Sequence, residues 1–516
     1  MPNKQLDDAL AQLVHAELVF RRGTPPDAEY TFKHALVQDA AYSTLLRSRR
    51  QQLHGKIVAA LEDQFPEVAE TQPGLLAQHC AEAGLLTKAT TYWLRAGQMA
   101  AAQSANAEAV SHLTKALDLL RTWPDPNARD RLELEVQINL GPALIALKGY
   151  AAPDTVAAYE RARQLIHTTG DRTQQDIVLT GVFVCYYNLA AYERSLEVGQ
   201  EFLQSAIEVG EAVPLCIGHR MLAVSYNTLG KFGEAKHHAE QALCTYDPAL
   251  PSVLAWRYGH DLGVAAMCHR AIALWHLGFP DQSAATEQQA LTLAAKLNHH
   301  NTTGYALFYA GVLSAFRHRE MVALASFVER VIDHGRQHGL PQWVAWGSFF
   351  QAPLLTGAGR ADQAIATIDE ALSAADRMQN RVYRPIVQGM LAEARLAQGN
   401  SRAALELIGD ALAVAEQSRE QWMGSELWRI KGNILASIDD PNEAQVSFRN
   451  GIELARRQGS RMFELRCAAS LARLLRDQGK RDEARELLVP IYGWFTEGFD
   501  TLDLKQAKAL LDELAA

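Results

Sequence analysis

Between Gly230 and Gly479 the chain closes a helix hairpin seven times with the same punctuation, at Gly230, Gly278, His318, Gly359, Gly399, Asp439 and Gly479. Successive marks lie 40 or 41 residues apart, except the first step, from Gly230 to Gly278, which is 48. A fixed period of this size means stacked supersecondary units, each burying its apolar face only against its neighbours. Function in such a chain belongs to a surface, because a solenoid builds no catalytic cleft by default.

Aligned on the marks, the units show two columns of small residues. Seven positions before the mark stand Ala223, Ala271, Gly311, Ala352, Ala392, Gly432 and Ala472. Five positions after it stand Ala235, Ser283, Ala323, Ala364, Ala404, Ala444 and Ala484. Antiparallel helices approach closely only where each offers a small side chain, so the columns mark the crossing. Four residues further on, Phe327, Ile368, Ile408, Phe448 and Leu488 supply the bulk that fills the gap to the next hairpin.

This is the A-x3-F element of the tetratricopeptide signature, although those units run about 34 residues and HEAT or armadillo units about 40–47. The columns favour tetratricopeptide hairpins with both helices about one turn longer than usual. Trp428 with Gly432, and Trp93 with Gly97, add the W-x3-G spacing. Upstream the period is looser, through Gly84, Ser104, Gly149 and Ala190, and the run RTWPDPNARD at 121–130 is the strongest break. The last helix, from Leu502 to Leu514, is amphipathic and suits a terminal cap.

Residues 6–62 do not follow the repeat. LDDALAQLVHA reads as a helix, ELVFRR and YTF as strands flanking the turn GTPPDAE, and HALVQDAAYSTLL and RRQQLHGKIVAALE as helices. That order outlines a winged-helix fragment or, alternatively, an irregular cap on the solenoid. The expected fold is all-α, a tetratricopeptide-type superhelix with a small winged-helix-like N-terminal segment. Its expected divisions are 1–62, a helical block at 63–122, and a superhelix at 131–516.

Composition narrows the function classes. A net charge of −9 without long single-sign runs gives no global attraction for nucleic acid. Arg47, Arg49 and Arg50 form the one basic cluster and read as a solvated helix end. Six scattered cysteines form no CxxC pair, which argues for free thiols in a reducing cytosol and a cytoplasmic location. No apolar run reaches the ~18 residues of a membrane span.

The strings YTFKHALVQDAAYSTLLRSRRQQLH, QFPEVAETQPGLLAQHCAEAG, KGYAAP and LARLLRDQGKRDEARELLVPIYGWFTEGFDT together resemble a class of large bacterial signalling proteins. These join a class III adenylate/guanylate cyclase domain, a STAND-type P-loop ATPase and a long tetratricopeptide tail. The resemblance covers essentially the whole chain. It implies that the FKHAL region is the winged-helix end of the ATPase module, and that the tail senses a ligand or partner and releases the output domains. No G-x-x-x-x-G-K-[ST] string is present, so the family's nucleotide and metal residues have no matching positions and no cofactor is expected. On this reading the chain is the sensor tail, as a truncated product or a stand-alone paralogue.

No hydrolase, zincin or dinucleotide-binding motif appears either. Among the seventeen histidines, His334 and His338 have the i,i+4 spacing that can bind one metal, beside the doublets His237–His238 and His299–His300. No cysteine or third carboxylate stands at ligand spacing, so no metal site is expected. The stronger signal is aromatic: at first-helix offsets stand Trp275, His276, Tyr305, Phe308, Phe316, Trp346 and Phe349, flanked by Tyr187, Arg220, Asn227 and Glu393. They either line a concave groove for a peptide, partner helix or small apolar ligand, or pack against one another.

The long step places its extra residues at 245–263, where Trp256, Arg257, Tyr258, His260 and Asp261 form a charge–aromatic cluster. Insertions in repeats map to loops on one face, so this cluster either joins the binding site or tucks under the array. The expected function is a non-enzymatic scaffold or sensor that binds a protein partner, a peptide or a small ligand. The alternative is the regulatory tail of a cyclase or ATPase whose catalytic domains lie elsewhere. Membrane association is not expected, and nucleic-acid binding by the winged-helix-like start is disfavoured by the acidic balance.

Overall fold

The computed structural model describes residues 3–515 apart from 25–27, 104, 124, 170–171, 248 and 250–258. The described chain is all-α except for one two-stranded antiparallel sheet, and it divides into two compact units, Met1–Ala143 and Leu144–Ala516. Ser104, one of the looser upstream marks, lies outside the described residues.

The first unit opens with helix Asn3–His15 and a hairpin of strands β1 (Val19–Arg22) and β2 (Glu29–Phe32), in the register Val19 to Phe32. β1 starts two residues later than the sequence suggests. Glu17 is left-handed (φ 57°) and Leu18 N–H closes back on Leu13 O at 3.0 Å, so the pair serves as a helix end. Helix Ala35–Ser43 buries no residue, and helix Arg47–Gln64 buries only Val58, which packs with Cys80 and Ala89. Three helices follow, Pro73–Glu82, Leu86–Ala102 and Asn106–Leu120, each packed on the next in tetratricopeptide-like fashion. The 121–130 break leads into helix Pro126–Lys148, inside which the boundary between the two units falls.

In the second unit each punctuation mark has one backbone cause. At Gly230 (φ 73°) its N–H reaches Asn227 O at 3.0 Å and Lys231 N–H reaches Tyr226 O at 2.8 Å. This pair of bonds satisfies the last carbonyls of the first helix and requires a left-handed residue, which glycine adopts most cheaply. The same pair recurs at the later marks, with one correction. The left-handed residue is Arg319 (φ 60°), not His318, and Glu320 N–H bonds to Ala315 O at 2.9 Å. The first helix of that unit contains a π-helical turn, Leu307–Val312, which absorbs one extra residue and moves the mark along by one. Leu324 and Val328 accordingly are buried on helix Met321–Gln337, one position beyond the expected Ala323 and Phe327.

The small columns work by volume compensation. A Cβ on Gly311 would lie 2.4 Å from Phe327, and one on Gly432 would lie 2.4 Å from Phe448. Both partners stand sixteen positions later. Where the column holds Ala352, Ala392 or Ala472, the residue sixteen later is the smaller Ile368, Ile408 or Leu488. In these five units glycine meets phenylalanine and alanine meets a larger aliphatic, which keeps the crossing at near-constant packing.

The superhelix winds tightly enough that one turn rests on the next. Asn380 Nδ2 donates to Asn188 Oδ1 at 2.8 Å across 192 residues, and Arg381 N–H donates to Asn188 O at 2.9 Å. Gln421 N–H donates to Thr228 O at 2.9 Å, and His276 Nδ1 lies 3.0 Å from Ser460 Oγ. At about 40 residues per unit, a 192-residue separation is between four and five hairpins per turn.

Candidate functional site

With so few hairpins per turn, the inner wall closes on itself. Side chains of successive first helices meet there in one aromatic stack. The Tyr305 and Tyr309 rings lie 4.3 Å apart, Phe308 and Trp346 5.2 Å, Trp346 and Tyr383 5.1 Å, and Tyr383 and Trp422 5.7 Å. Tyr383 donates to the Tyr309 hydroxyl at 3.1 Å. A void of about 20 Å³ beside Tyr187, Asn227, Tyr309 and Tyr383 leaves room for one water at most two.

The expected binding residues are therefore placed as follows. Trp275, Phe308, Trp346 and Phe349 are no more than 2% exposed, Tyr305 is buried, and Phe316 stands edge-on to Phe350 at 5.1 Å. The structure packs them against one another and opens no groove along them among the described residues. Tyr187, Arg220 and Asn227 are buried on the same wall, where Tyr187 Oη and Thr228 Oγ1 lie 3.2 Å apart. Burial pushes the Glu393 carboxyl up to about 6. Trp256, Arg257 and Tyr258 lie outside the described residues.

His260 and Asp261 serve the array. Asp261 accepts from Val264 N–H at 2.8 Å and so caps helix Leu262–His276. It also accepts from Tyr246 Oη at 3.0 Å, while its own N–H donates to Thr302 Oγ1 at 2.9 Å. His260 stacks on Tyr305 at 4.6 Å. These contacts tie the long step to the following hairpin.

Where the C-terminal cap helix Leu502–Ala515 meets the seam between turns, the wall changes from aromatic to cationic. Arg466 pairs with Asp503 at 2.7 Å and lies 5.0 Å over the Trp275 ring, while buried Arg317 pairs with Glu287 at 2.8 Å. Beside them a cleft of about 50 Å³ is lined by Arg319, Arg429, Arg466, Arg473, Ser470, Asp503 and Gln506. Arg319 reaches Asp503 at 3.3 Å, and Arg429 pairs with Glu426 at 2.7 Å. No carboxylate pairs with half-buried Arg473 among the described residues. Burial and the neighbouring guanidiniums of Arg319, Arg429 and Arg476 push the Arg473 pKa down. Of the four guanidiniums on the cleft walls, Arg319 and Arg466 share Asp503, Arg429 is held by Glu426, and Arg473 has no ion pair among the described residues. Sequence reasoning missed the cluster because its members come from four separate helices and turns.

On the outside, a groove of about 740 Å³ runs between helices Met321–Gln337 and Ala361–Arg377, floored by Val328, Ile332, Leu354 and Leu355. It opens where the intervening first helix, which pairs with Ala361–Arg377 in one hairpin, breaks at Phe350 into Pro341–Phe349 and Gln351–Gly357. Near one end of helix Met321–Gln337, His334 and His338 are joined by His300 from the start of the same hairpin, with one ring nitrogen of each within 4.8 Å of the others. No described helix is long and apolar enough to cross a membrane.

A tetratricopeptide-repeat family model matches residues 465–489. An uncharacterized protein of Rhizobium meliloti (strain 1021) is 24% identical over 481 residues, which is 91% of this chain and 46% of that protein. The chain therefore spans about half the length of the curated relative it matches. Among solved structures, a Rap protein complexed with competence and sporulation factor aligns over 72% of this chain and 98% of its own, with a TM-score of 0.50 and 11% identity. The apo form of RapI aligns over 56% and 98%, with a TM-score of 0.44 and 12% identity. At 11% identity the likeness to the Rap protein complex is one of fold, a tetratricopeptide-type helical superhelix.

Proposed function

We propose that this chain is a non-enzymatic tetratricopeptide-type regulator that binds a protein or peptide partner and holds an acidic group of that partner in the arginine-lined cleft. The observation that carries the reading is Arg473, which lines the cleft with no ion pair among the described residues. Crowding a half-buried guanidinium among other guanidiniums is unfavourable unless an anion lies near it, and Asp503, already shared by Arg319 and Arg466, acts on Arg473 only at a distance. A carboxylate suits the site, because planar guanidiniums bind it bidentately. The solved Rap protein of similar fold holds a competence and sporulation factor, which is consistent with a partner-binding role for a superhelix of this kind.

The cleft also offers a mechanism. Arg319 and Asp503 belong to different turns of the superhelix, 184 residues apart. An anion bridging Arg319 and Arg473 would lock the seam and hold the cap helix closed, so occupancy would bias the superhelix towards its compact form. The relative's additional length favours a second reading, in which the regulated module is part of the same polypeptide. A cyclase–ATPase module is the one the sequence resemblance implies.

The experiment is a panel of acidic peptides, each paired with its Gln/Asn analogue, presented to the full chain and to Arg319→Glu/Arg473→Glu. The expected result is retention of acidic members by the wild type alone, with ATP and GTP turnover at blank level. Retention that ignores peptide charge, or robust nucleotide turnover, would overturn the proposal.

A further inference from the structure

We propose that His300, His334 and His338 form a binding site for one Zn²⁺ ion. His334 and His338 lie one turn apart at the end of helix Met321–Gln337, and the missing third ligand comes from the first turn of helix His300–Ala306. An antiparallel hairpin brings the beginning of its first helix to the end of its second, so the chain supplies the third imidazole from 34 residues upstream of His334. The His300 and His338 rings are 3.7 Å apart, and His334 and His338 4.6 Å. The described structure places no carboxylate within the cluster, so the donor set is three imidazoles.

A second observation supports a metal over mere stacking. His334 Nε2 lies 2.7 Å from the His300 carbonyl oxygen, so that nitrogen carries the proton and donates it. With Nε2 committed to that carbonyl, Nδ1 is the His334 nitrogen left to bind an ion, and a carbonyl on the other ring nitrogen is a common support for a metal-bound histidine. His334 and His338 also sit at the C-terminal end of their helix, where the exposed carbonyls favour a cation. Three imidazoles with an open fourth position match a zinc centre that keeps one water. His300 and its partners are only partly covered by protein, which gives the ion a path in.

The test uses the full chain stripped of metal with EDTA and titrated with ZnCl₂ by calorimetry, with Co²⁺ absorption as a geometric probe. The expected result is one ion per chain, a visible tetrahedral Co²⁺ band, and a melting temperature raised by Zn²⁺. His300→Gln and His338→Gln, which keep the side chains polar, should each weaken binding by about tenfold or more. His219→Gln, in the separate pair His219–His238, should leave it unchanged. The proposal fails if the wild type binds Zn²⁺ no more tightly than His300→Gln/His338→Gln, or if His219→Gln weakens binding equally.

Discussion

The Asn380 amide donates to Asn188 Oδ1 at 2.8 Å while Asn188 O accepts from Arg381 N–H, so two positions 192 residues apart pair through both side chain and backbone. Both asparagines are buried, and Asn188 Nδ2 donates to Val184 O at 2.8 Å. The seam between turns is therefore held by polar groups with few alternatives. Asn188→Ala strands the Asn380 amide and should lower stability by about 1–3 kcal/mol, read as a reduced midpoint in urea unfolding. An unchanged midpoint would mean that the turns do not rest on each other as described.

The pairing of small and large residues at the hairpin crossings makes a sharper prediction. Gly432→Ala places a Cβ 2.4 Å from Phe448 and should destabilise by about 1–3 kcal/mol. Phe448→Ile in the same chain should recover much of the loss, because Ala392 with Ile408 is the same crossing with smaller bulk. Thermal melts of both single variants and the double variant form the cycle that measures the coupling.

Glu420 gives the seam a pH dependence. It accepts from Tyr192 Oη at 2.7 Å and Trp422 Nε1 at 3.1 Å, and burial pushes its carboxyl up to about 7 from 4.5. A raised folded-state pKa contributes stability that is fully present below the unfolded value near 4.5 and is lost as pH rises through about 7. Wild-type stability should therefore fall between pH 5 and pH 8 relative to Glu420→Gln, by on the order of 3 kcal/mol. Parallel pH profiles for the two proteins would contradict the assignment.

The repeat was legible in the sequence because its marks answer a backbone requirement, a left-handed residue after each first helix. The reading slipped only at His318, where a π-helical turn inserts a residue that a fixed offset cannot register. The aromatic band was legible as composition, but whether its members face a groove or one another depends on superhelical pitch. Pitch accumulates from small rotations between neighbouring hairpins and is written in no single residue. The arginine cleft was hidden for the same reason, since Arg319 and Arg473 meet only across turns, whereas the third histidine was hidden because His300 meets His334 only when its hairpin closes.

Acidic recognition at the seam is tested most directly by calorimetric titration of one retained acidic peptide into wild-type chain and Arg473→Ala at low and high salt. Loss of a partly desolvated charge pair should weaken binding by about tenfold or more in the variant, and added salt should narrow that gap. Equal affinity for both proteins at both salt concentrations would contradict the role assigned to the arginine cleft.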